Sequence, residues 1–398
     1  MTIAPLKGIR VLDLSNGVGG AYCGKLLACY GATVTRIEAS SGSALRREGP
    51  FRDDRPDPNT SALQLYLDTS KRAMTLNLEH PDGQRLLRQL VTTVDVLVED
   101  AGQQRMTELG LDYSRIAAIA PDLIYVSVTP FGNDGPYATY QATELTLYAL
   151  GGYMALTGDP DREPLQGPGA QPSYLAGVYA FVGVMAALWA RADGHGGQFL
   201  DISAFEAIAA SHQWTISRYS YSGMVQRRIG NRYDSGHPIT IYPTADGYIS
   251  IGISTDEQAQ RFFVLINRPD LGEDPRFATN LARLEHADEL DAIISPWFAV
   301  RTSAEVVALC QEMRVPCARV ATIADLLADP HLQQRGFWQE IAHPYAGRLL
   351  YPGLPFHLPA ADGSIQRAPL LSEHSVETLE EAGEAHTDLG RLRALGGI

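Results

Sequence analysis

Residues 9–39, "IRVLDLSNGVGGAYCGKLLACYGATVTRIEA", decide the architecture. Residues 9–15 form an apolar run of strand length, and Gly17, Gly19 and Gly20 follow it. "AYCGKLLACYG" then reads as a helix closed by Gly31, and "ATVTRIEA" as a second strand. Such a β-α-β unit implies a right-handed crossover and a parallel strand pair. The same stretch imitates a dinucleotide-binding turn, with Glu38 as the ribose acid. The spacing fails: Gly17-x-Gly19 calls for a third glycine at position 22, where Tyr22 obstructs close helix–strand contact. No nicotinamide or flavin is therefore expected.

Moving outward, "PDGQRLLRQLVTTV" (81–94) reads as a helix with proline in its first turn, leading to the strand "DVLVE". A helical region near 103–119 leads to the strand "LIYVSV" (123–128). This alternation predicts an α/β fold, an open parallel sheet with helices on both faces. A long helix from Ser173, the strand "QFLDIS" and the helix "AFEAIAASHQWTISRY" continue it. From about residue 225 the texture changes, and "YPTADGYISIGIS" has the alternation and Asp-Gly turn of a hairpin. Three parts are expected: a Rossmann-like large domain (1–225), a smaller α+β domain (226–325) and a C-terminal strap (326–398). The strap, with Pro344, Pro352, Pro355 and Pro359, is expected to return over the large domain.

A net charge of −14 argues against general nucleic-acid binding and against an anionic membrane surface. It also makes a polyanionic ligand hard to hold without local cations. Cys23, Cys29, Cys310 and Cys317 form no C-x-x-C pair and have no histidine at ligand spacing, so no metal is expected. They read as reduced thiols of a cytoplasmic protein. The N-terminus has no signal-peptide pattern. Tyr174–Ala190 is apolar, but its length and its Gly and Ala content favour a buried helix over a membrane span.

Several stretches taken together resemble the class III CoA-transferase family. They include "PLKGIRVLDLS", "SKRAMTLNL", "PFGNDGPY", "ALGGYMALTG", "GGQFLDIS", "YPTADGYI", "DPRFATN", "VPCARV" and "HPYAGRLLYPGLPF", running in the family's order from residue 5 to about 380. The resemblance implies a Rossmann-like domain plus a smaller one, two chains interlocked as a dimer, and coenzyme A, carried as acyl-CoA, as the substrate exchanged with carboxylic acids. It also implies CoA contacts at Val18, Gly19, Lys71, Arg72, Leu76 and Asp100, with a structural role for Lys71 and Arg72 left open.

The chain departs from that family where the chemistry is concentrated. The family's nucleophilic Asp, which forms a mixed anhydride with the acyl group, falls on Ser173. An acyl-serine is an oxygen ester, lower in energy than a thioester, and it would trap the acyl group. Serine also needs a base, and no G-x-S-x-G elbow surrounds it. Ser173 reads as a helix N-cap; an active nucleophile and a polar ligand contact remain open. The CoA phosphates call for Lys or Arg. Yet the family's cations fall on Ala39, Glu108 and Gln141, and its groove-lining "ENFxPG" segment reads "EDAGQQ" (99–104).

Glu144, within "TELTLYALGG", aligns with an acid near the reactive carbonyl and is a candidate general base, or else an acid bonded to backbone. His237 stands where the small domain begins and reads as structural, with the interface within its reach. Two readings follow. In the first, the chain is the Asp-lacking subunit of a heteromeric transferase of the benzylsuccinate type, partnered by an Asp-bearing paralogue, and it neither transfers CoA nor binds it tightly alone. In the second, it is a self-sufficient acyl-CoA epimerase, dehydratase or lyase that uses Glu144 as base. A third class, a purely structural or binding protein descended from the fold, stays open beside them.

Overall fold

The computed structural model describes residues 4–358 and 365–384. Six strands form one parallel sheet: β1 Arg10–Asp13, β2 Thr33–Glu38, β3 Arg72–Thr75, β4 Val96–Glu99, β5 Ile124–Thr129 and β6 Phe199–Ser203, in the order β3-β2-β1-β4-β5-β6. β5 is buried along its whole length, as expected of a strand with helices on both faces. The α/β class and the β-α-β opening are as read from the sequence. β3 was not read as a strand; its four residues carry too little alternation to announce one.

The chain divides into two compact units. One comprises the described residues of Met1–Gly152, Gly167–Ser217 and His331–Ile398. The other is Tyr153–Gln166 with Arg218–Pro330, so an excursion at 153–166 joins the smaller unit. That excursion carries no periodic pattern by which to assign it.

In the larger unit the helices that position the site are α1 Val18–Cys29, α2 Ala62–Leu67, α3 Pro81–Val91, α4 Gly102–Glu108, α5 Tyr113–Ile119, α6 Glu144–Leu150, α7 Gln171–Ala192 and α8 Ala204–Ala210. Leu86, Leu87, Leu97, Met106 and Tyr125 pack on one face of the sheet, and Val11, Leu27, Val126, Ala180 and Val184 on the other. The glycines after β1 serve this packing. A Cβ on Gly177 of α7 would lie 2.6 Å from the Gly19 carbonyl oxygen, so the two helices touch backbone to backbone. α7 is long and apolar enough to cross a membrane, with a mean hydropathy of 1.6, and only 28% of that apolar window is buried. The buried helix expected from the sequence is buried along one stripe, Ala176, Gly177, Ala180, Val184 and Ala187, because only that side of α7 packs on the sheet and α1. Its other side exposes Val182 and Trp189.

The helix expected over 204–219 is broken at Ser211–His212, giving α8 and α9 Gln213–Ser222. The described part of the C-terminal segment is a hairpin, β10 Trp338–His343 with β11 Gly347–Pro352, and a short helix, Ser375–Glu381. The segment is bound to the rest of its unit by the bond from Tyr30 Oη to the Phe356 carbonyl (3.1 Å) and from the Thr75 N–H to Ser375 Oγ (3.0 Å). Pro359 lies outside the described residues.

The smaller unit is an antiparallel sheet of β7 Ile239–Thr244, β8 Gly247–Gly252 and β9 Cys317–Arg319, with the Asp-Gly turn joining the first two strands. Phe262, Phe263, Ile294 and Phe298 from the surrounding helices and Phe277 from a turn fill its core.

Candidate functional site

The strand order reverses between β1 and β4, and a crevice is expected outside the carboxyl ends of the strands at such a switch point. The turn after β1 and the β4–α4 turn meet there. The Asp100 carboxylate accepts the N–H groups of Asn16 (2.8 Å) and Gly17 (2.6 Å), so an internal carboxylate occupies these two donors of the glycine-rich turn. Burial pushes the Asp100 carboxyl up, and these two N–H groups oppose that shift.

On the α6–α7 side, Thr143 caps α6 with its side chain and leaves Glu144 as the first helical residue. α7 starts at Gln171 with Ala170 as its N-cap, and no side chain bonds that end. Ser173 is therefore the third residue of the helix and not its cap, which corrects the sequence reading. Its hydroxyl donates a short hydrogen bond to Glu144 Oε1. Glu144 Oε2 is buried without a partner. The two sequence candidates are thus brought into direct contact. Beside them Tyr174 packs edge-on against Tyr22, with ring centroids 4.9 Å apart. Val18, Leu63 and Tyr66 pack into the same small apolar cluster.

The expected cation contacts are placed differently. The Lys71 ammonium is fully buried and donates to Asp13 Oδ2 (2.8 Å), Asp68 Oδ1 (3.0 Å) and the Ala21 carbonyl (2.9 Å). Arg36 bonds the other oxygen of Asp13 at 3.0 Å. Arg72 begins β3, at the end of the strand away from its carboxyl terminus, and pairs with Glu377 and Glu381. Leu76 is only 2% exposed, within the core. The Lys71 and Leu76 side chains are therefore buried, and the Arg72 side chain is paired at the amino end of its strand. Gly19 lies under α7, while Val18 opens α1 beside Tyr22. Glu38, the supposed ribose acid, is held by the Arg46 guanidinium at 2.8 Å. In the smaller unit His237 is fully buried and bonded to Asp291 at 2.9 Å, so its side chain reaches no surface.

A groove of about 440 Å³ opens at the carboxyl ends of β4 and β5. Asp100, Glu108 and Gln141, three of the positions singled out by resemblance, all line it; Ala39 does not. Its other walls mix amide and hydroxyl groups, among them Gln103, Asn133 and Tyr140, with the apolar Ala101, Pro130, Ala138 and Ala142. Its lining also holds a cation that position-by-position reading passed over. This is Arg105, one turn before Glu108 on α4, and it pairs with Glu108 (3.1 Å) and with Glu79. The i,i+3 spacing of Arg105 and Glu108 was the available signal. A smaller cavity of about 210 Å³ shares Gln103 and Asn133 with the groove and is floored by Tyr113, Tyr125 and Phe199. Glu99 lines this cavity, and burial pushes its carboxyl up to about 7 even though it accepts the Gly102 N–H at 2.9 Å.

Comparison with known proteins places this geometry. The model of CoA-transferase family III matches residues 6–375. Succinyl-CoA–D-citramalate CoA-transferase of Chloroflexus aurantiacus is 33% identical over 98% of this chain and 97% of its own length. Succinyl-CoA:(R)-benzylsuccinate CoA-transferase subunit BbsE of Thauera aromatica is 30% identical over 98% of this chain and 97% of its own length. The crystal structure of a CaiB/BaiF family protein from Brucella suis superposes with a TM-score of 0.86 at 30% identity, covering 96% of this chain and all of that one (100%).

Proposed function

The chain belongs to CoA-transferase family III, and on that premise we propose that it is the subunit without the transferring carboxylate in a heteromeric class III CoA-transferase. Its partner would be an Asp-bearing paralogue, interlocked with it, and the complex would exchange CoA between acyl-CoA thioesters and carboxylic acids in the cytoplasm. The observation that carries this reading is Ser173. The residue at the family's nucleophile position is a hydroxyl bonded to Glu144, not a carboxylate.

The Glu144 contact gives that hydroxyl an acceptor for its proton, which is what serine nucleophiles require. The product would still be an oxygen ester, and CoA thiolate cannot reopen an ester as readily as an anhydride. A carboxylate is needed for reversible exchange, and in this reading the partner supplies it. Two further observations support a partner chain. Trp189 on α7 is 77% exposed and Val182 is 54% exposed, apolar surface that a second chain would cover. Relatives include proteins named as subunits, BbsE and the beta subunit of succinyl-CoA–L-malate CoA-transferase of C. aurantiacus.

The test is to express the chain alone, an Asp-bearing paralogue alone, and the two together. We expect a stable complex that transfers CoA and an isolated chain that does not. Transfer by the isolated chain would sink the proposal. A second reading is favoured by one observation, the buried and unpartnered Oε2 of Glu144. Ser173 would orient Glu144 as a base for acyl-CoA epimerisation, dehydration or elimination. In that case the isolated chain would exchange the α-proton of an acyl-CoA with solvent deuterium, and Glu144→Gln would abolish the exchange.

A further inference from the structure

We infer that Arg105 is the phosphate-binding cation of this chain's groove, displaced by one helical turn from the position where the resemblance leads one to look, and that Glu108 tunes it by competing for it. The inference rests on the reading that the groove takes a CoA thioester, and it replaces one part of the sequence expectation, that the chain alone does not bind CoA tightly: the chain is silent in transfer, yet it holds the nucleotide end of CoA.

The argument starts from charge. A groove of about 440 Å³ lined by Asp100 and Glu108 repels a polyanion unless a cation within it can reach the phosphates. Among the lining residues Arg105 is that cation. It stands on α4 three residues before Glu108, so the two side chains project from one face of the helix. Its guanidinium side chain is 40% exposed, and its partners Glu79 and Glu108 are 69% and 52% exposed. Ion pairs this open to water are weak, typically ~0.2–1 kcal/mol. A phosphate can therefore displace either carboxylate at little cost.

The guanidinium fork suits that exchange, because two N–H groups can meet two phosphate oxygens in one plane. The other cations considered cannot take this part. Lys71 is fully buried among carboxylates, and Arg72 is paired at the opposite end of its strand. The surrounding amides of Gln103, Gln104 and Asn133 offer uncharged hydrogen bonds to the rest of a nucleotide. Glu108 sets the affinity: while ionised it holds Arg105, and a ligand must replace it.

The experiment is calorimetric titration of the full-length chain with CoA and with pantetheine, which lacks the phosphates and the nucleotide. We expect CoA to bind more tightly than pantetheine, with an advantage that shrinks as salt is raised. Arg105→Ala should weaken CoA roughly tenfold, the loss expected for one charge-assisted hydrogen-bonded contact, and leave pantetheine unchanged. Glu108→Gln should tighten CoA severalfold, a gain that a misfolded variant cannot produce. The inference is overturned if the wild-type chain does not distinguish CoA from pantetheine, if Arg105→Ala leaves CoA affinity intact, or if Glu108→Gln weakens it. None of these outcomes depends on whether the isolated chain transfers CoA, so the two proposals fail separately.

Discussion

Lys71 and Arg105 are each held between two carboxylates in the same compact unit, and they stand at opposite ends of the scale of burial. Lys71, Asp13 and Asp68 have no side-chain exposure, and their charges meet at 2.8 and 3.0 Å. Arg105, Glu79 and Glu108 are all open to water. In the first cluster each charge is tolerated only because its partners are present, and removing one leaves the others uncompensated. In the second, water solvates whatever a partner releases, so the contacts are exchangeable. The chemical type of the cation therefore says little about its role. Solvent access decides whether it holds up the fold or waits for a ligand.

The sharpest way to break this contrast is Lys71→Met. If the buried cluster is structural, the substitution should lower stability by about 3–5 kcal/mol, read as a shift of the urea midpoint. The pH dependence follows from the carboxylates. Burial raises the Asp13 and Asp68 carboxyls, but the Lys71 and Arg36 charges outweigh it and hold both below the ordinary value. A depressed carboxyl contributes fully above its unfolded value, about 4, and loses that contribution as pH falls toward the folded one. The deficit of Lys71→Met should thus be largest near pH 7 and shrink toward pH 3. A deficit that ignores pH would mean that lost packing, not charge, is responsible.

Glu99 lies between the two regimes, 1% exposed yet at the wall of the smaller cavity. Burial lifts its carboxyl to about 7. For a raised carboxyl the sign reverses: its share of stability is complete below the unfolded value near 4.5 and is lost as pH rises to about 7. Glu99→Gln keeps an oxygen for the Gly102 N–H and removes the titration. It should be neutral near pH 4.5 and stabilise the chain above pH 7, by up to about 3 kcal/mol. Thermal melts at pH 5 and pH 8 would show the difference, and equal shifts at both would refute the assignment.

The sheet was legible in the sequence because apolar runs of strand length alternate with helical spacing from residue 9 to about 130. The first glycines were legible as a tight turn, although their reason, the contact of Gly19 with Gly177 of α7, joins residues far apart in the chain. Ser173 was misread locally. A serine beside a proline is a common helix start, but α7 begins at Gln171 and the hydroxyl goes to Glu144, 29 positions away. Lys71 read either as a CoA contact or as a structural cation, and its bond to Asp13, 58 positions earlier, was not legible along the chain. Alignment by position located the missing cation at Glu108, and it could not show that Arg105, a turn away, lines the same groove.

The smallest expected effect sharpens the comparison most. Arg105→Ala, which should cost CoA affinity, should leave stability within about 0.5 kcal/mol of wild type, since exposed ion pairs contribute little and are screened by salt. The check is the urea midpoint at low and high salt, beside that of Lys71→Met. The two substitutions delete one positive charge each from one unit, so net charge cannot explain a difference between them. If Arg105→Ala proved as destabilising as Lys71→Met, its carboxylate contacts would be holding α4 in place. The guanidinium would then be a structural group and not one free to meet a phosphate. A near-silent Arg105→Ala with weakened CoA binding separates affinity from stability at a single residue, and solvent exposure is the physical property that permits the separation.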